Sequence, residues 1–273
     1  MTGSGMTGAR RFLYVAGVAA LCVWVLLPIY LIALGAFGGR PAVFKWPKNW
    51  LPVDASLGSM ELFLRIEGVW HAALNSIIAA LLTMVLSIGL GAPAGYALAR
   101  FSFRGADLYR LAILLTRAFP LAILALPLTV VFIRVGLYDT PLGVALVHTA
   151  LALPFATLVT AGLFMGIPRE FEEAAWVFGC SRLQAFRKVV LPLAIPGVAA
   201  AAIFAFIISW NEVFAASVLT VRERTLTAYL LNVLSESPLH YRFAGGFVLI
   251  VPSVVFIFAV RKYLFAIWGV SSR

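Results

Sequence analysis

Long apolar runs recur along this chain, and they dictate the solvent it folds in. The first covers residues 12–37, about 39 Å as a helix at ~1.5 Å per residue, enough to cross ~30 Å of hydrocarbon with tilt. Five more occupy residues 71–99, 108–134, 141–166, 197–221 and 243–260. Pro120, Pro127 and Pro154 fall inside the third and fourth runs, where neighbouring groups or water satisfy the freed carbonyls. Six spans result. With 63% hydrophobic residues, 12% charged residues and a mean hydropathy of +1.01, the chain lies far outside the makeup of soluble globular domains. The expected fold is all-α, a polytopic membrane protein with six transmembrane helices forming one domain over residues 1–273.

Charge then orients the spans. A net charge of +10 in such a chain reads as a topology signal rather than as a nucleic-acid footprint. Arg10 and Arg11 precede the first run, which is longer than the ~7–15-residue core of a cleaved signal peptide, so a retained anchor is expected. Residues 38–70, with Gly38, Gly39, Pro41, Pro47 and Pro52, read as an extramembrane loop. Placing the N-terminus inside puts twelve Lys and Arg residues in inner segments and eight in outer ones, with Arg117 within a span. Basic residues accumulate in cytoplasmic loops, so both termini and residues 167–196 are expected in the cytoplasm. Behind the last run, Arg261 and Lys262 mark the inner face, with Tyr263 and Trp268 as interface aromatics.

Between the fourth and fifth runs lies a charged, helix-forming island, EFEEAAWVFGCSRLQAFRKVVLPLAIPG, residues 170–197. Pro168 suits a first helical turn, and Glu170, Glu172 and Glu173 sit near the positive end of the helix dipole. Gly179 fits a left-handed terminating position, and Ser181 is placed to cap a second helix through Leu183, Phe186, Val189 and Val190 that Pro192 ends. A helix of about three turns is too short to stand alone in water and needs a surface to dock on. Ala174 and Ala175 allow close approach, while Trp176 and Phe178 offer apolar area. These properties fit a docking helix for another protein and an amphipathic helix on the membrane surface equally well.

The spacing from Glu173-Ala174-Ala175 through Gly179 to Val189, Val190, Leu191 and Pro192 resembles the Glu-Ala-Ala loop of binding-protein-dependent ABC importer permeases. Val189 replaces the usual Ile of that family. NSIIAALLTMVLSIGLGAPAGYALARF (Asn75 to Phe101), FPLAILALPL, GLYDTPLGVAL, LALPFA and SWNEVFAA (Ser209 to Ala216) are similar to the carbohydrate-uptake, maltose-type branch, so the likeness covers roughly residues 70–270. The resemblance implies a permease subunit of a bacterial or archaeal plasma (inner) membrane, whose cytoplasmic coupling loop between helices 4 and 5 inserts into an ATPase subunit. It implies three kinds of partner: cytoplasmic ATP-binding subunits, a second and non-identical permease, and an extracytoplasmic solute-binding protein. The coupling residues it carries over are Glu172, Glu173, Ala174, Ala175, Gly179, Leu191 and Pro192. Independently, none of Lys45, Lys48, Lys188 and Lys262 follows a glycine, so the Gly-Lys pair of a P-loop is missing. No cofactor is expected on this chain, and ATP belongs on a partner.

Ionisable groups inside spans suggest function by default. Arg117 falls about nine residues, roughly 14 Å, into its run, and Glu212 about 15 residues, roughly 22 Å, into its own. Together with Trp210 and Asn211 they form a candidate translocation pathway offering hydrogen bonds and a stacking face to a sugar; the alternative is polar glue bonded to backbone or to a partner. Asn75 and Ser76 read as a capping pair for the helix they open, and His148 as a hydrogen-bonded interior histidine. Cys22 and Cys180 suggest neither disulfide nor metal pair, and the three histidines show no zinc spacing. Another solute, a polyamine, phosphate or an amino acid, stays open, as does a secondary transporter, which would need internal inverted repeats or broken helices around an ion site; the sequence shows no convincing repeat and that reading leaves residues 170–197 unexplained. Nothing converges as a catalytic constellation, so an enzyme is not expected.

Overall fold

The computed structural model describes residues 8–38, 43–47, 49–51, 55–233 and 235–267. Among them the regular structure is helical throughout. Five helices are long and apolar enough to cross a membrane, and a bent pair makes a sixth if it counts as one span. Trp268, with the loop residues Gly39, Pro41, Lys48 and Pro52, lies outside the described residues, as do the side-chain surroundings of Arg261, Lys262 and Tyr263.

Two compact units divide the chain. One combines residues 1–67 with 233–250 and contains α1 (Gly8–Phe37), α2 (Gly58–Arg65) and the first part of α12 (Leu239–Ile267). Residues 8–31 of α1 are exposed, an apolar surface suited to hydrocarbon. Its last turns meet α12: Phe37 packs edge-on against Phe247 at 4.9 Å. The loop expected over residues 38–70 holds a helix of its own, α2, with an Arg65–Glu61 pair at 2.5 Å along its exposed side.

The second unit holds residues 68–232 and 251–273. Its centre is α3 (Val69–Arg100) against α6 (Pro141–Met165), with α9 (Leu191–Asn211) packed on both. The sequence of α3 explains the tight seam. Asn75, Ala79, Thr83, Ser87, Gly91 and Gly95 recur every fourth residue, form one face and are all buried. Small residues at that period let two helix backbones approach closely in a membrane. At Gly95 a Cβ would stand 2.7 Å from both the Ala161 nitrogen and the Thr157 oxygen of α6, so no side chain fits there. Hydroxyls then bridge the backbones: Thr160 Oγ1 donates to Gly91 O at 3.1 Å, and Thr83 Oγ1 to Ala145 O at 3.3 Å. On α9, Ala194, Gly197, Ala201, Ala205 and Ser209 supply a matching small, buried face.

Proline punctuation departs from expectation twice. The run over residues 108–134 is not one straight helix: α4 (Ala106–Leu115) with the short 3₁₀ turn Thr116–Ala118 meets α5 (Leu121–Arg134) at an 85° bend. Phe119 is extended at φ −75°, ψ 120°, as the ring of a following proline requires, and Pro120 has no N–H to continue the ladder. At Pro192 the opposite occurs. α8 (Arg182–Ala185), a π turn (Phe186–Val190) and α9 continue as one 30-residue rod, Arg182–Asn211. Leu191 N–H bonds to Phe186 O, five residues back, and this widened turn makes room for the proline ring that would strike the carbonyl four residues behind it. Pro192 therefore interrupts hydrogen bonding without ending the helix.

Candidate functional site

The loop between α6 and the Arg182–Asn211 rod is built around α7 (Glu170–Val177). Three glutamates occupy its first turn, where the helix dipole favours them. Spacing decides which way each residue faces. Glu172 and Ala175, three apart, point into the protein, at 2% and 8% exposure. Glu173, Ala174, Val177 and Phe178 are exposed, with Val177 and Phe178 at 85% and 87%. After the helix, Gly179 takes φ +85°, the left-handed turn expected for it. Ser181 then caps α8 in a full capping box: Gln184 N–H donates to Ser181 Oγ at 3.3 Å, and Ser181 N–H to Gln184 Oε1 at 2.8 Å.

The buried carboxylate of Glu172 is satisfied by the end of α3. Arg100 Nε donates to Glu172 Oε1, and Tyr96 Oη donates to Glu172 Oε2 at 2.6 Å. A second arm of the same guanidinium donates to Ile167 O at 2.9 Å, so Arg100 grips both the helix and the turn that precedes it. The pair is shielded, with side chains 8% and 3% exposed. A charge pair out of water contributes little net stability, but removing one member strands the other, which costs about 3–5 kcal/mol. Around it, Tyr96 packs against Phe164 at 5.8 Å and against Phe186 of the π turn at 4.5 Å, and Phe186, Val190, Ala92 and Ala194 complete one apolar cluster. Arg182 stacks over Phe101 and Trp176 at 5.5 and 5.7 Å.

Of the loop residues singled out in the sequence, Glu173, Ala174, Gly179 and Pro192 are exposed, Leu191 is half-buried, and Glu172 and Ala175 face inward. Arg100 and Tyr96 were not singled out. Arg100 reads in the sequence as one more inner-face cation, and the single available signal is its place at the end of an apolar run, about 70 residues from its partner.

The candidate pathway residues are each engaged differently. Arg117 sits exposed in the 3₁₀ turn at the bend. Trp210 is buried and stacks on Phe206 at 6.0 Å. Asn211, exposed, turns its amide back to Ile207 O at 2.9 Å. Glu212 ends α9 and caps α10 (Phe214–Leu219): its Oε1 accepts the Phe214 and Ala215 N–H groups at 2.9 and 3.0 Å, its Oε2 that of Ala216 at 3.2 Å. His148, fully buried, joins this cap, with Nε2 3.0 Å from Glu212 Oε2 and Nδ1 2.7 Å from Ser209 Oγ. A separate cavity of about 490 Å3, lined among others by Leu90, Tyr109, Ile113, Leu153 and Thr157, opens between α3, α4 and α6. No group of three or more His, Cys, Asp or Glu suited to a metal occurs among the described residues.

At the other end of α3, Asn75 and Ser76 are buried inside the helix, where they cannot cap it; the left-handed Gly68 precedes its first turn instead. They hold a different segment. Ser76 Oγ accepts Leu226 N–H at 2.7 Å, capping α11 (Leu226–Val233) from across the fold, and Asn75 Nδ2 donates to Glu223 Oε2 at 3.0 Å. His71 Nε2 meets the same oxygen at 2.7 Å. Asp139, at φ 55°, completes the clamp: its Oδ1 accepts N–H groups of Val221, Arg222 and Glu223 at 2.8, 2.9 and 2.9 Å. Burial raises the Asp139 carboxyl, but those three backbone donors outweigh it and hold the group below its ordinary value.

Comparison with known proteins agrees with this architecture. The trehalose transport system permease protein SugB of Mycobacterium tuberculosis is 34% identical over 266 residues, covering 95% of this chain and 96% of that protein. The osmoprotective compounds uptake permease protein GgtD of Synechocystis sp. is 30% identical, with 92% and 88% covered. Among solved structures, a bacterial ABC transporter involved in the import of the acidic polysaccharide alginate superposes with a TM-score of 0.76 at 24% identity, over 94% of this chain and 98% of that one, and shares the fold. Residues 87–266 match the family described as the binding-protein-dependent transport system inner membrane component. By that match and by its near full-length relatives, this chain belongs to the family of binding-protein-dependent transport system inner membrane components.

Proposed function

We propose that this chain forms half of the translocation pathway of an ATP-driven importer for a sugar, oligosaccharide or polyol. Its loop over residues 167–196 lies in the cytoplasm with both termini and docks on a separate ATPase subunit. A second, non-identical permease completes the pathway, and an extracytoplasmic solute-binding protein delivers the solute. One observation carries the docking reading: α7 keeps its buried charge for its own chain and turns Glu173, Ala174, Val177 and Phe178 outward at the Glu-Ala-Ala spacing. Exposed apolar area of that kind on a short helix suits a groove in another protein. Glu173, Ala174 and Gly179 then act as contact and turn residues, while Glu172, Ala175, Leu191 and Pro192 shape the loop from within. In the pathway, Arg117 and Asn211 are the exposed members, the latter with its amide N–H held by Ile207 O, while Trp210 is buried and Glu212 caps α10.

The solute class rests on the relatives, which are named for trehalose, for alpha-glucoside and for diacetylchitobiose transport. The test is to reconstitute the chain with its co-purifying ATPase and binding protein in liposomes. Trehalose, an alpha-glucoside, diacetylchitobiose and a polyol, beside an amino acid, a polyamine and phosphate, are then screened for stimulation of ATP hydrolysis and for uptake. A response to one of these carbohydrates is expected; a response confined to amino acids, polyamines or phosphate refutes the sugar reading.

A further inference from the structure

We propose that Arg100 is a positioning residue of the docking loop, and that through it α3 receives the movement of α7. The inference rests on the reading of α7 as the ATPase-docking helix. In covalent sequence α7 is attached to α6 before it and to the Arg182–Asn211 rod after it, at turns containing Pro168 and the left-handed Gly179. Such turns transmit a pull poorly, since each hinges on a few backbone dihedrals. The connection to α3 is of another kind. Arg100 reaches Glu172 in α7 and Ile167 O before it with two different nitrogens, and Tyr96, one turn earlier on α3, reaches the other oxygen of Glu172.

Two features make this link stiff. It is shielded, so drawing the helices apart breaks charge-assisted hydrogen bonds in a site of low exposure and leaves two charges unpaired there. Beyond it, α3 stays helical over 32 residues, through Pro93, and lies against α6 along the Asn75-to-Gly95 stripe, where the backbones approach so closely that no side chain fits at Gly95. A displacement of Glu172 is therefore carried along α3 as a body, and with it Leu90, which borders the 490 Å3 cavity between α3, α4 and α6. The geometry assigns to α3 the role of lever and to Arg100 that of its attachment. Neither Arg100 nor Tyr96 belongs to the loop motif itself.

The experiment needs no knowledge of the solute. In a background with Cys22→Ser and Cys180→Ser, a Leu90→Cys reporter is placed on α3, and the full complex with its ATPase is reconstituted in liposomes. The probe is a small maleimide, and its labelling rate is read without nucleotide and with ATP plus vanadate. Nucleotide is expected to change that rate by roughly fivefold or more, the lower end of a typical coupling effect. Arg100→Gln is expected to abolish the change in complexes of equal ATPase content, and Arg100→Lys, which keeps charge but loses the two-armed grip, to reduce it. Where Arg100→Gln fails to assemble, the double variant Arg100→Gln/Glu172→Gln removes both charges and strands neither; it too is expected to lose the change. An undiminished nucleotide effect in either Gln variant, or none in the chain carrying Arg100, overturns the proposal. Failure of the docking reading shows separately, as ATPase that co-purifies undiminished with a chain carrying Val177→Asp and Phe178→Asp.

Discussion

The two ends of α3 are fastened in opposite ways. At its first turns His71, Asn75 and Ser76 hold the segment 220–226, and Asp139 holds the same segment from the far side. The donors there are mostly backbone N–H groups, and the acceptors are mostly side chains, so the segment is closed by bonds within the chain, with Arg224 Nε buried beside them without a hydrogen bond. At its last turn Arg100 and Tyr96 hold Glu172, and there the polar bonding is finished but the apolar surface is not. Phe171, Val177 and Phe178 stay exposed on the helix that the pair secures. Trp70 and Val221 are exposed at the first end as well, so exposure alone does not tell the two apart; at the last turn the exposed apolar side chains stand on the helix that a buried charge pair fixes.

The sharpest way to break that contrast is to spoil the apolar surface while leaving the polar junction alone. Val177→Asp with Phe178→Asp does so, because neither side chain touches Glu172 or Arg100 and both already face out. Covering a Val or a Phe in a partner's groove is worth roughly 1.5–3 kcal/mol each, so the pair should weaken ATPase attachment by several kcal/mol, a hundredfold or more. The check is the amount of ATPase subunit retained on immobilised permease, alongside helix content by circular dichroism, which should not move. Retention at the original level would mean that this face is not the docking surface.

The contrast also sorts what the sequence makes legible. Six apolar runs, the charged island, the left-handed Gly179 and the Ser181 cap are all written in neighbouring residues, because hydropathy, dipole and capping act over a few positions. Long-range partnerships left no such mark. Ser76 looks like a cap because serine near a helix start usually is one, yet the N–H it satisfies belongs to Leu226, 150 positions away. Glu172 looks like a member of an acidic, outward first turn, and only the position of Arg100 on a packed neighbour turns it inward. The two prolines show the same limit from another side. Pro120 bends its run and Pro192 does not; at Pro192 a π turn forms behind the ring, where Phe186 and Val190 pack with Ala92 and Phe164. The stripe of small residues on α3 was present in the sequence at a regular spacing of four; hydropathy alone conceals it, since Ala, Gly, Thr and Ser read as weak filler.

At the closed end, Ser76→Ala should produce a smaller and purely local effect. The hydroxyl is 3% exposed with its residue, and Leu226, whose N–H it accepts, is 1% exposed, so no water replaces the lost bond. Losing such a cap costs about 1–2 kcal/mol, and the cost should appear as faster amide hydrogen exchange over the first turn of α11. Exchange across α7 should be unchanged. Spread of the effect to α7 would mean that α3 does not separate its two junctions, and that the closed end is part of the moving apparatus.

The smallest effect expected is that of acid on the Asp139 clamp. Its carboxyl lies below its ordinary value because three N–H groups point at Oδ1, against the opposing pull of burial. For a carboxyl lowered in the folded chain, the stabilisation is fully present above the unfolded value, near 3.8, and is lost as pH falls through the lower folded value. Neutral pH is thus on the plateau. Protonation leaves an oxygen that still accepts hydrogen bonds, more weakly, and solvent screens a partly exposed group, so the segment should loosen rather than unfold. Amide exchange at Val221, Arg222 and Glu223, corrected for its intrinsic pH dependence, should be flat from neutrality down to about pH 4 and rise below that. Asp139→Asn, which accepts at one oxygen without the charge, should show the faster rate at neutral pH and no acid limb. An acid limb that persists in the Asn variant would mean that the Asp139 carboxyl is not what loosens the segment in acid, and that its bonds to the three N–H groups are not the clamp's weakest point.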